Sequence, residues 1–171
     1  MPNYFERIPL AQHEATMRQH LPPPWNTLQA LVPHMKPRGG HIVNVSSLAG
    51  LIGVFGYTDY CAAKFAVVGF SDALRWELAP HRIAVSVLCP PDVDTPGLAQ
   101  EDATKPPETR IVSEGARMLT PAVVADALLA GVAKRRFLIV PGADGRLAHT
   151  AKRLLPGLVD ALIARRLRGA G

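Results

Sequence analysis

The stretch VSSLAGLIGVFGYTDYCAAK, residues 45–64, holds a serine, a tyrosine and a lysine whose spacing could support proton transfer. Tyr60 and Lys64 are four residues apart, so on a helix their side chains lie on one face and can meet. A free tyrosine, with a pKa of about 10, is a poor base at neutral pH, and a neighbouring ammonium group lowers that pKa. The Ser47 hydroxyl could hold a substrate oxygen beside the phenol. The three side chains together predict a catalytic acid–base site.

Two predicted strands and one predicted helix would position these side chains. HIVNVS, His41–Ser46, is rich in β-branched residues and predicts a buried strand. Apolar residues recur with helical spacing from Thr58 to near Pro80, which predicts a helix with a broad apolar face. IAVSVLC, Ile83–Cys89, predicts a second buried strand. Tyrosine and lysine at this spacing also occur by chance on ordinary helices, so the prediction of catalysis depends on the serine that ends the first strand.

The flanking segments also show patterns of secondary structure. Helical spacing over residues 14–31 is interrupted by LPPPW, residues 21–25, which predicts a kink or two short helices. Residues 92–115 are polar and rich in proline, and they predict a lid or a binding loop. Residues 120–133 open with a Thr-Pro pair, typical of an N-cap followed by proline at the first helical position. FLIVP, residues 137–141, predicts a short third strand.

Strands that alternate with helices in this order predict a parallel sheet with right-handed crossovers. We therefore predict an α/β fold, with three strands that correspond to the C-terminal half of a Rossmann-like doubly wound parallel sheet. A chain of 171 residues with 48% hydrophobic residues can form one domain with a real core. We expect residues 1–171 to form that domain, with residues 146–171 as a basic amphipathic helical segment interrupted around Pro156.

The formal net charge of +5 comes largely from the C-terminal part of the chain. We favour solubilising charge on helix faces over contact with nucleic acid. Leucines accompany these charges in residues 147–171, which leaves two alternatives: packing against the sheet or a partner subunit, which we favour, and peripheral contact with an anionic membrane. The basic residues in question are Lys134, Arg135, Arg136, Lys152, Arg153, Arg165, Arg166 and Arg168.

Cysteine content and the first residues of the chain bear on the cellular compartment. Cys61 and Cys89 both lie in apolar surroundings and predict neither a disulfide framework nor a metal site. MPNYFERIPL lacks a basic region followed by an apolar core, and no apolar run approaches the roughly 20 residues that span a bilayer. We therefore expect a cytoplasmic protein.

Three motifs, VSSLAG, YCAAK and PPDVDT, resemble those of the short-chain dehydrogenase/reductase family in order and spacing. The resemblance implies that Ser47, Tyr60 and Lys64 are the catalytic residues, with the serine orienting the substrate. The tyrosine would exchange a proton with the carbonyl or alcohol oxygen. The lysine would lower the pKa of the tyrosine and bind the nicotinamide ribose of the cofactor.

The same resemblance implies further cofactor-binding residues. Pro90, Val93 and Thr95 match the family segment that contacts nicotinamide, in addition to Tyr60 and Lys64. The common glycine of this segment is replaced by a second proline in this sequence.

Within that family, FGYTDYCAAKFAVVGFSDAL and PPDVDTPGLAQEDATKPPETRIVSE are similar to the 3-ketodihydrosphingosine reductases of sphingolipid metabolism. This similarity implies an NAD(P)(H)-dependent oxidoreductase that reduces a ketone or oxidises an alcohol, with NADPH as cofactor. A long-chain keto-amine lipid precursor is the candidate substrate. In this family the helices of the N-terminal region and of residues 58–79 commonly form a dimer interface, which implies a homo-oligomer.

The sequence departs from the family in its dinucleotide-binding part. Members have a TGxxxGxG turn that receives the pyrophosphate, within a half that precedes the strand at His41. Here about 40 residues precede that strand, and they contain no such turn. The glycines at positions 50, 53 and 56 lie between the catalytic serine and tyrosine and predict only a tight, flexible loop. We therefore expect a truncated short-chain dehydrogenase/reductase domain whose first strand has an exposed edge.

These departures leave a second function open. A catalytically inactive remnant, or a dimerising interaction module without cofactor binding, is the alternative to the enzyme. His20 also departs from the pattern, because alignment on Met35 places it where the family has its fourth catalytic residue, an asparagine. We favour a surface or merely tolerated histidine over a proton relay at this position.

Overall fold

Three parallel strands in the order β1-β2-β3 form the centre of the structure, a computed structural model that describes residues 1–102, 104–113 and 117–169. Strand β1 pairs with β2 from Gly40 opposite Ile83 to Val45 opposite Leu88. The third strand is shorter than FLIVP predicts. The strands are β1 (Gly40–Val45), β2 (Ile83–Leu88) and β3 (Leu138–Ile139).

Helices connect the strands and cover the sheet, which confirms the predicted α/β pattern. Helix α3 lies between β1 and β2 in the chain, and α6 precedes β3. The helices are α1 (Leu10–His20), α2 (Pro22–Met35), α3 (Thr58–Leu78), α4 (Pro96–Asp102), α5 (Pro107–Ser113), α6 (Pro121–Ala133), α7 (Ala143–Leu154) and α8 (Pro156–Arg168).

The N-terminal prolines divide the predicted helical segment into two helices, as expected. The division falls at Leu21, between α1 and α2. Pro22 stands at the first position of α2, where the missing amide hydrogen costs no intrahelical hydrogen bond. The helix then continues past Pro33 to Met35. The proline run therefore begins a helix as well as ending one.

Two apolar clusters hold the helices against the sheet. One joins α2 and α3 to the strands β1 and β2, and the other surrounds the end of β2 and the residues after β3. Burial of these side chains is the main stabilising contribution. The buried members of the first cluster are Leu28, Ile42, Leu78, Ile83 and Val85, and those of the second are Val87, Cys89 and Val140.

Strand β1 pairs with no second strand within the described parts of the chain. This agrees with the predicted exposed edge. The two faces of the strand differ, because Ile42 and Asn44 on one face are buried, whereas Val45 on the other is 57% exposed. The Asn44 amide donates a hydrogen bond to Ser71 Oγ of α3 at 2.8 Å.

The segment predicted as a lid or binding loop is largely helical. Residues 92–113 contain α4 and α5, and each helix begins with proline. The buried Thr109 hydroxyl donates to the Phe55 carbonyl at 2.9 Å, so α5 is attached to the connection that precedes α3. The prediction of a loop was wrong because prolines at helix starts favour helix formation. Its residues 103, 114 and 115 lie outside the described residues.

The C-terminal elements follow the sequence patterns closely. Thr120 Oγ1 accepts a hydrogen bond from the Val123 amide at 3.4 Å, which makes it the predicted N-cap of α6. Helix α7 begins at Ala143, three residues before the predicted segment, and Pro156 begins α8. Helix α8 packs against α5 and leaves leucines exposed on its other side. In the described ranges, no helix has the length and apolar content needed to cross a membrane.

The connection from β1 to α3 lies directly against the helix. Ser46 is buried, and its hydroxyl donates to the Lys64 backbone carbonyl at 2.9 Å. A Cβ added at Gly50 would lie 2.7 Å from the same Lys64 oxygen and would overlap Ser46 Oγ. Glycine is therefore required at position 50 so that the end of β1 can approach α3.

We expect Gly50→Ala to lower the free energy of unfolding by about 1–3 kcal/mol, because the added methyl group meets backbone that cannot move freely. Gly53→Ala is the matched control, since a Cβ at position 53 has no neighbour within 4 Å. The control should change stability by less than about 1 kcal/mol. Urea unfolding of both variants makes the comparison, and equal stabilities would contradict the close contact at Gly50.

Candidate active site

The two serines that follow β1 differ in their availability to a substrate. Ser46 is 4% exposed and is occupied by its hydrogen bond to Lys64. Ser47 is half-buried, and its hydroxyl oxygen accepts a hydrogen bond from the Ala49 amide at 3.2 Å. This bond caps a single 3-10 turn and directs the Ser47 side chain out of the strand. Ser47 is thus the serine that can contact a bound molecule.

Tyr60 and Lys64 lie on one face of α3, and Ser47 lies beside them. The Lys64 Nζ atom is 5.4 Å from the centroid of the Tyr60 ring. The Ser47 side chain is close enough to Tyr60 to act on the pKa of the phenol, which it lowers. The structure therefore brings together the three predicted catalytic side chains at the carboxyl end of β1.

Burial controls the charges of this pair. The pKa of Tyr60 is raised from 10.0, mainly because burial disfavours the phenolate, while the hydrogen bond to Ser47 acts in the opposite direction. Burial likewise lowers the pKa of Lys64. The pKa of Tyr60 is therefore shifted upward, opposite to the lowering expected from Lys64, because desolvation is the largest effect on the phenol.

His20, the last residue of α1, contacts Tyr60, the predicted catalytic tyrosine. Its ring meets the Tyr60 ring edge to face, with centroids 5.3 Å apart, and the residue is half-buried. Burial, followed by the positive charge of Lys64, lowers the pKa of His20, and Asp59 acts against this shift. A neutral imidazole therefore lies against the phenol. His20 is therefore not an exposed surface residue, because α1 packs against α3, and the preference for a merely tolerated histidine over a proton relay stays a prediction.

Asp59 is a positioning residue that the sequence patterns did not single out. The carboxylate is buried and accepts hydrogen bonds from Gln12 Nε2 at 3.2 Å and Thr16 Oγ1 at 2.9 Å. It also accepts from the Tyr60 amide at 2.8 Å. These bonds join α1 to α3 and hold His20 against Tyr60. An acidic residue in the first turn of a helix was the available signal.

A second acidic residue, Glu101 of α4, faces the site. Tyr57 Oη donates a hydrogen bond to Glu101 Oε2 at 3.0 Å, and the Tyr57 and Tyr60 rings lie 5.9 Å apart. The negative charge of Glu101 contributes to the raised pKa of Tyr60. Sequence spacing could not reveal this pair, because 44 residues separate its members.

The residues predicted to contact nicotinamide follow β2 along the same end of the sheet. The Pro90 carbonyl accepts a hydrogen bond from the Leu48 amide at 2.8 Å, beside the serine turn. Val93 pairs with Leu119 in a parallel bridge. Thr95 is exposed, and its Oγ1 accepts from the Leu98 amide at 3.4 Å. Pro90 is therefore adjacent to the catalytic serine, whereas Thr95 lies farther out at the start of α4.

The burial and electrostatic surroundings of Lys64 make it a candidate for binding a polar ligand. It is 8% exposed, and no carboxylate in residues 1–102, 104–113 and 117–169 forms an ion pair with it. A buried ammonium group without a counter-charge is costly, and sugar hydroxyls can accept its hydrogen bonds. The described residues contain no group of three or more His, Cys, Asp or Glu side chains that could hold a metal ion.

Comparison with curated proteins finds relatives that include 3-ketodihydrosphingosine reductases. The chain is 45% identical over 121 residues to a 3-ketodihydrosphingosine reductase of Dictyostelium discoideum, a match of 71% of this chain and 35% of the relative. It is 39% identical over 146 residues to the mouse protein of the same name, a match of 85% of this chain and 44% of the relative. The chain therefore spans less than half the length of these relatives.

Solved structures share the fold. A short chain dehydrogenase from Burkholderia cenocepacia in complex with NADP superposes with a TM-score of 0.79 at 22% identity, covering 95% of this chain and 63% of that one. A short-chain dehydrogenase from Sphingobium yanoikuyae in complex with NADPH gives a TM-score of 0.72 at 23% identity, covering 96% and 61%. These similarities establish the Rossmann-like fold of the three-stranded sheet and its helices.

A family model described as short chain dehydrogenase matches residues 1–106, which include β1, α3, β2 and all three predicted catalytic side chains. With 45% identity to one curated relative and the shared fold, this match identifies the family. The chain belongs to the short chain dehydrogenase family.

Proposed function

We propose that the chain carries the catalytic residues of an NADPH-dependent oxidoreductase that reduces a ketone or oxidises an alcohol. The observation that supports this proposal is the meeting of Ser47, Tyr60 and Lys64 at the carboxyl end of β1. Ligands of open α/β sheets bind at this end of the strands. The phenol, the hydroxyl and the ammonium group there can act on one substrate oxygen.

In the direction of reduction, each side chain has a distinct task. Tyr60 is protonated at neutral pH, because burial raises its pKa, and it donates its proton to the carbonyl oxygen. Ser47 donates a hydrogen bond that holds this oxygen, and Lys64 stabilises the phenolate that remains. A nicotinamide dinucleotide bound here would supply the hydride to the carbonyl carbon. The product is an alcohol.

Lys64 and the segment that begins at Pro90 fit the nicotinamide end of this cofactor. The buried ammonium group would bind ribose hydroxyls, and the segment after β2 would flank the ring. The pyrophosphate end has no matching TGxxxGxG turn in the sequence. NADPH is proposed because two structural neighbours are described in complex with NADP or NADPH.

The names of the curated relatives support a lipid-like substrate. Both are called 3-ketodihydrosphingosine reductase, and such a substrate is a long-chain ketone with an amino group. We propose a long-chain keto-amine as the substrate class. The proposal concerns the whole reaction, to which this chain contributes the acid–base residues.

A groove between α2 and α3 supports a second candidate function, that of a dimerising module. Its volume is about 530 Å³, and its lining is apolar except for one glutamine, one lysine and one glutamate. Trp25, which lines it, is 51% exposed, and its ring lies 5.1 Å from that of Phe70. Since Lys36 and Glu77 make the groove net neutral, a second copy with the same face is complementary to it.

The catalytic proposal predicts that Tyr60→Phe lowers the rate of ketone reduction with NADPH by about 10²- to 10⁴-fold, because the proton donor is removed. Tyr4→Phe is the matched control and should retain the wild-type rate. Cofactor binding is followed separately by nicotinamide fluorescence. Absence of both saturable NADPH binding and turnover in the wild-type chain would contradict the proposal and favour the dimerising module.

The electrostatics of the site predict a pH dependence. Oxidation of an alcohol needs the phenolate form, so its rate should rise with pH towards the raised pKa of Tyr60, while reduction stays level through neutral pH. Ser47→Ala removes a hydrogen bond that lowers this pKa, so the pKa of Tyr60 should move further upward. Titration of tyrosinate absorbance measures the shift, and a downward movement would contradict the assigned hydrogen bond.

The dimerisation proposal predicts that Trp25→Glu weakens self-association by at least about tenfold, because a charge enters the apolar groove. Trp76→Glu is the control, since Trp76 is 67% exposed and does not line the groove. Sedimentation velocity over a range of concentrations measures the dissociation constant. A wild-type chain that stays monomeric throughout, or equal effects of both substitutions, would count against the interface.

A further inference from the structure

Glu101 is placed so that its charge acts on the proposed reaction. It belongs to α4, which follows the segment after β2, and it accepts the hydrogen bond from Tyr57 at 3.0 Å. Tyr57 in turn lies next to the catalytic phenol, with ring centroids 5.9 Å apart. The hydrogen bond limits the orientations of the carboxylate, and α4 therefore presents a positioned negative charge near Tyr60.

This charge opposes catalysis on an uncharged ketone. Proton donation by Tyr60 leaves a phenolate, and Glu101 disfavours that phenolate, as its contribution to the raised pKa of Tyr60 indicates. Burial of Tyr60 also disfavours the phenolate, so the Glu101 carboxylate adds to the free-energy cost of forming it. A substrate that carries a positive charge near its carbonyl group would offset the repulsion between Glu101 and the developing phenolate.

Carboxylates bind protonated amines through charge-assisted hydrogen bonds, which are the stronger class in proteins. An amino group on the carbon next to a carbonyl lies close to the oxygen that Tyr60 protonates. It can therefore reach a carboxylate on the same side of the site while the oxygen stays beside Ser47 and Tyr60. A substrate that lacks the amino group leaves the carboxylate charge without this partner.

We propose that Glu101, oriented by Tyr57, is a specificity-determining residue that selects substrates with a protonated amino group adjacent to the reacting carbon. The inference rests on the proposed function, and it adds a residue and a charge requirement to it. Glu101 binds the ammonium group, while Ser47 and Tyr60 bind the oxygen.

The test uses two alcohols that differ only in the amino group, 2-aminooctan-3-ol and octan-3-ol. Calorimetric titration of the wild-type chain should give at least about tenfold tighter binding of the amino alcohol, the size of one charge-assisted hydrogen bond. Glu101→Gln keeps the shape and removes the charge, so this preference should fall to within about twofold. Binding of octan-3-ol should stay unchanged.

A matched control is present on the neighbouring helix. Tyr4 Oη donates to Glu108 Oε2 of α5 at 3.0 Å, a second tyrosine–glutamate pair. Glu108→Gln removes the same charge at another place and should leave the preference for the amino alcohol intact. An equal loss in both variants, or an equal loss of affinity for both alcohols in Glu101→Gln, would overturn the inference.

Oxidation of the two alcohols with NADP+ separates this inference from the proposed function. Turnover of both alcohols at a ratio that Glu101→Gln does not change would overturn the role of Glu101 and leave the oxidoreductase standing. A binding preference that depends on Glu101 without any turnover would support the ammonium contact and contradict the catalytic proposal.

Discussion

The close approach of the β1 end to α3 is the constraint on which the site depends. Gly50 permits it, and the Ser46 hydroxyl secures it by a hydrogen bond to the Lys64 carbonyl. This contact sets the distance between Ser47 and Tyr60, because Ser47 follows the end of β1 and Tyr60 lies on α3. Any residue larger than glycine at position 50 would move the two catalytic elements apart.

Burial then decides the charge states within that geometry. Both members of the Tyr60 and Lys64 pair are shifted towards their neutral forms, and His20 beside them is also shifted towards neutral imidazole. Asp59 holds α1 in place through two hydrogen bonds, from Gln12 and Thr16, and accepts a third from the Tyr60 amide of its own helix. The result is a buried phenol with a raised pKa, whose neighbours are held by packing between α1 and α3.

The helices α4 and α5 connect this donor to substrate selection. Thr109 attaches α5 to the connection before α3, and Glu101 attaches α4 to Tyr57. In the proposed reaction, a cationic substrate would offset the effect of a carboxylate that opposes phenolate formation, so specificity and proton transfer would depend on the same charges. Within the described residues, the unpaired edge of β1 and the groove between α2 and α3 are formed by other side chains, and the groove is the surface proposed for association.

Local sequence patterns determined the elements, and the resemblance of three motifs to a family led to Ser47, Tyr60 and Lys64 as the predicted catalytic residues. The four-residue spacing of Tyr60 and Lys64, the β-branched strands and the Thr120 N-cap all act between near neighbours, so they can be read without the fold. Only the tertiary structure decided the upward pKa shift of Tyr60, the contact of His20, and the roles of Asp59 and Glu101. These depend on burial and on pairs such as Tyr57 and Glu101 that lie far apart in the chain. Desolvation and long-range contacts have no periodic signal in a sequence, and the chain must fold before they exist.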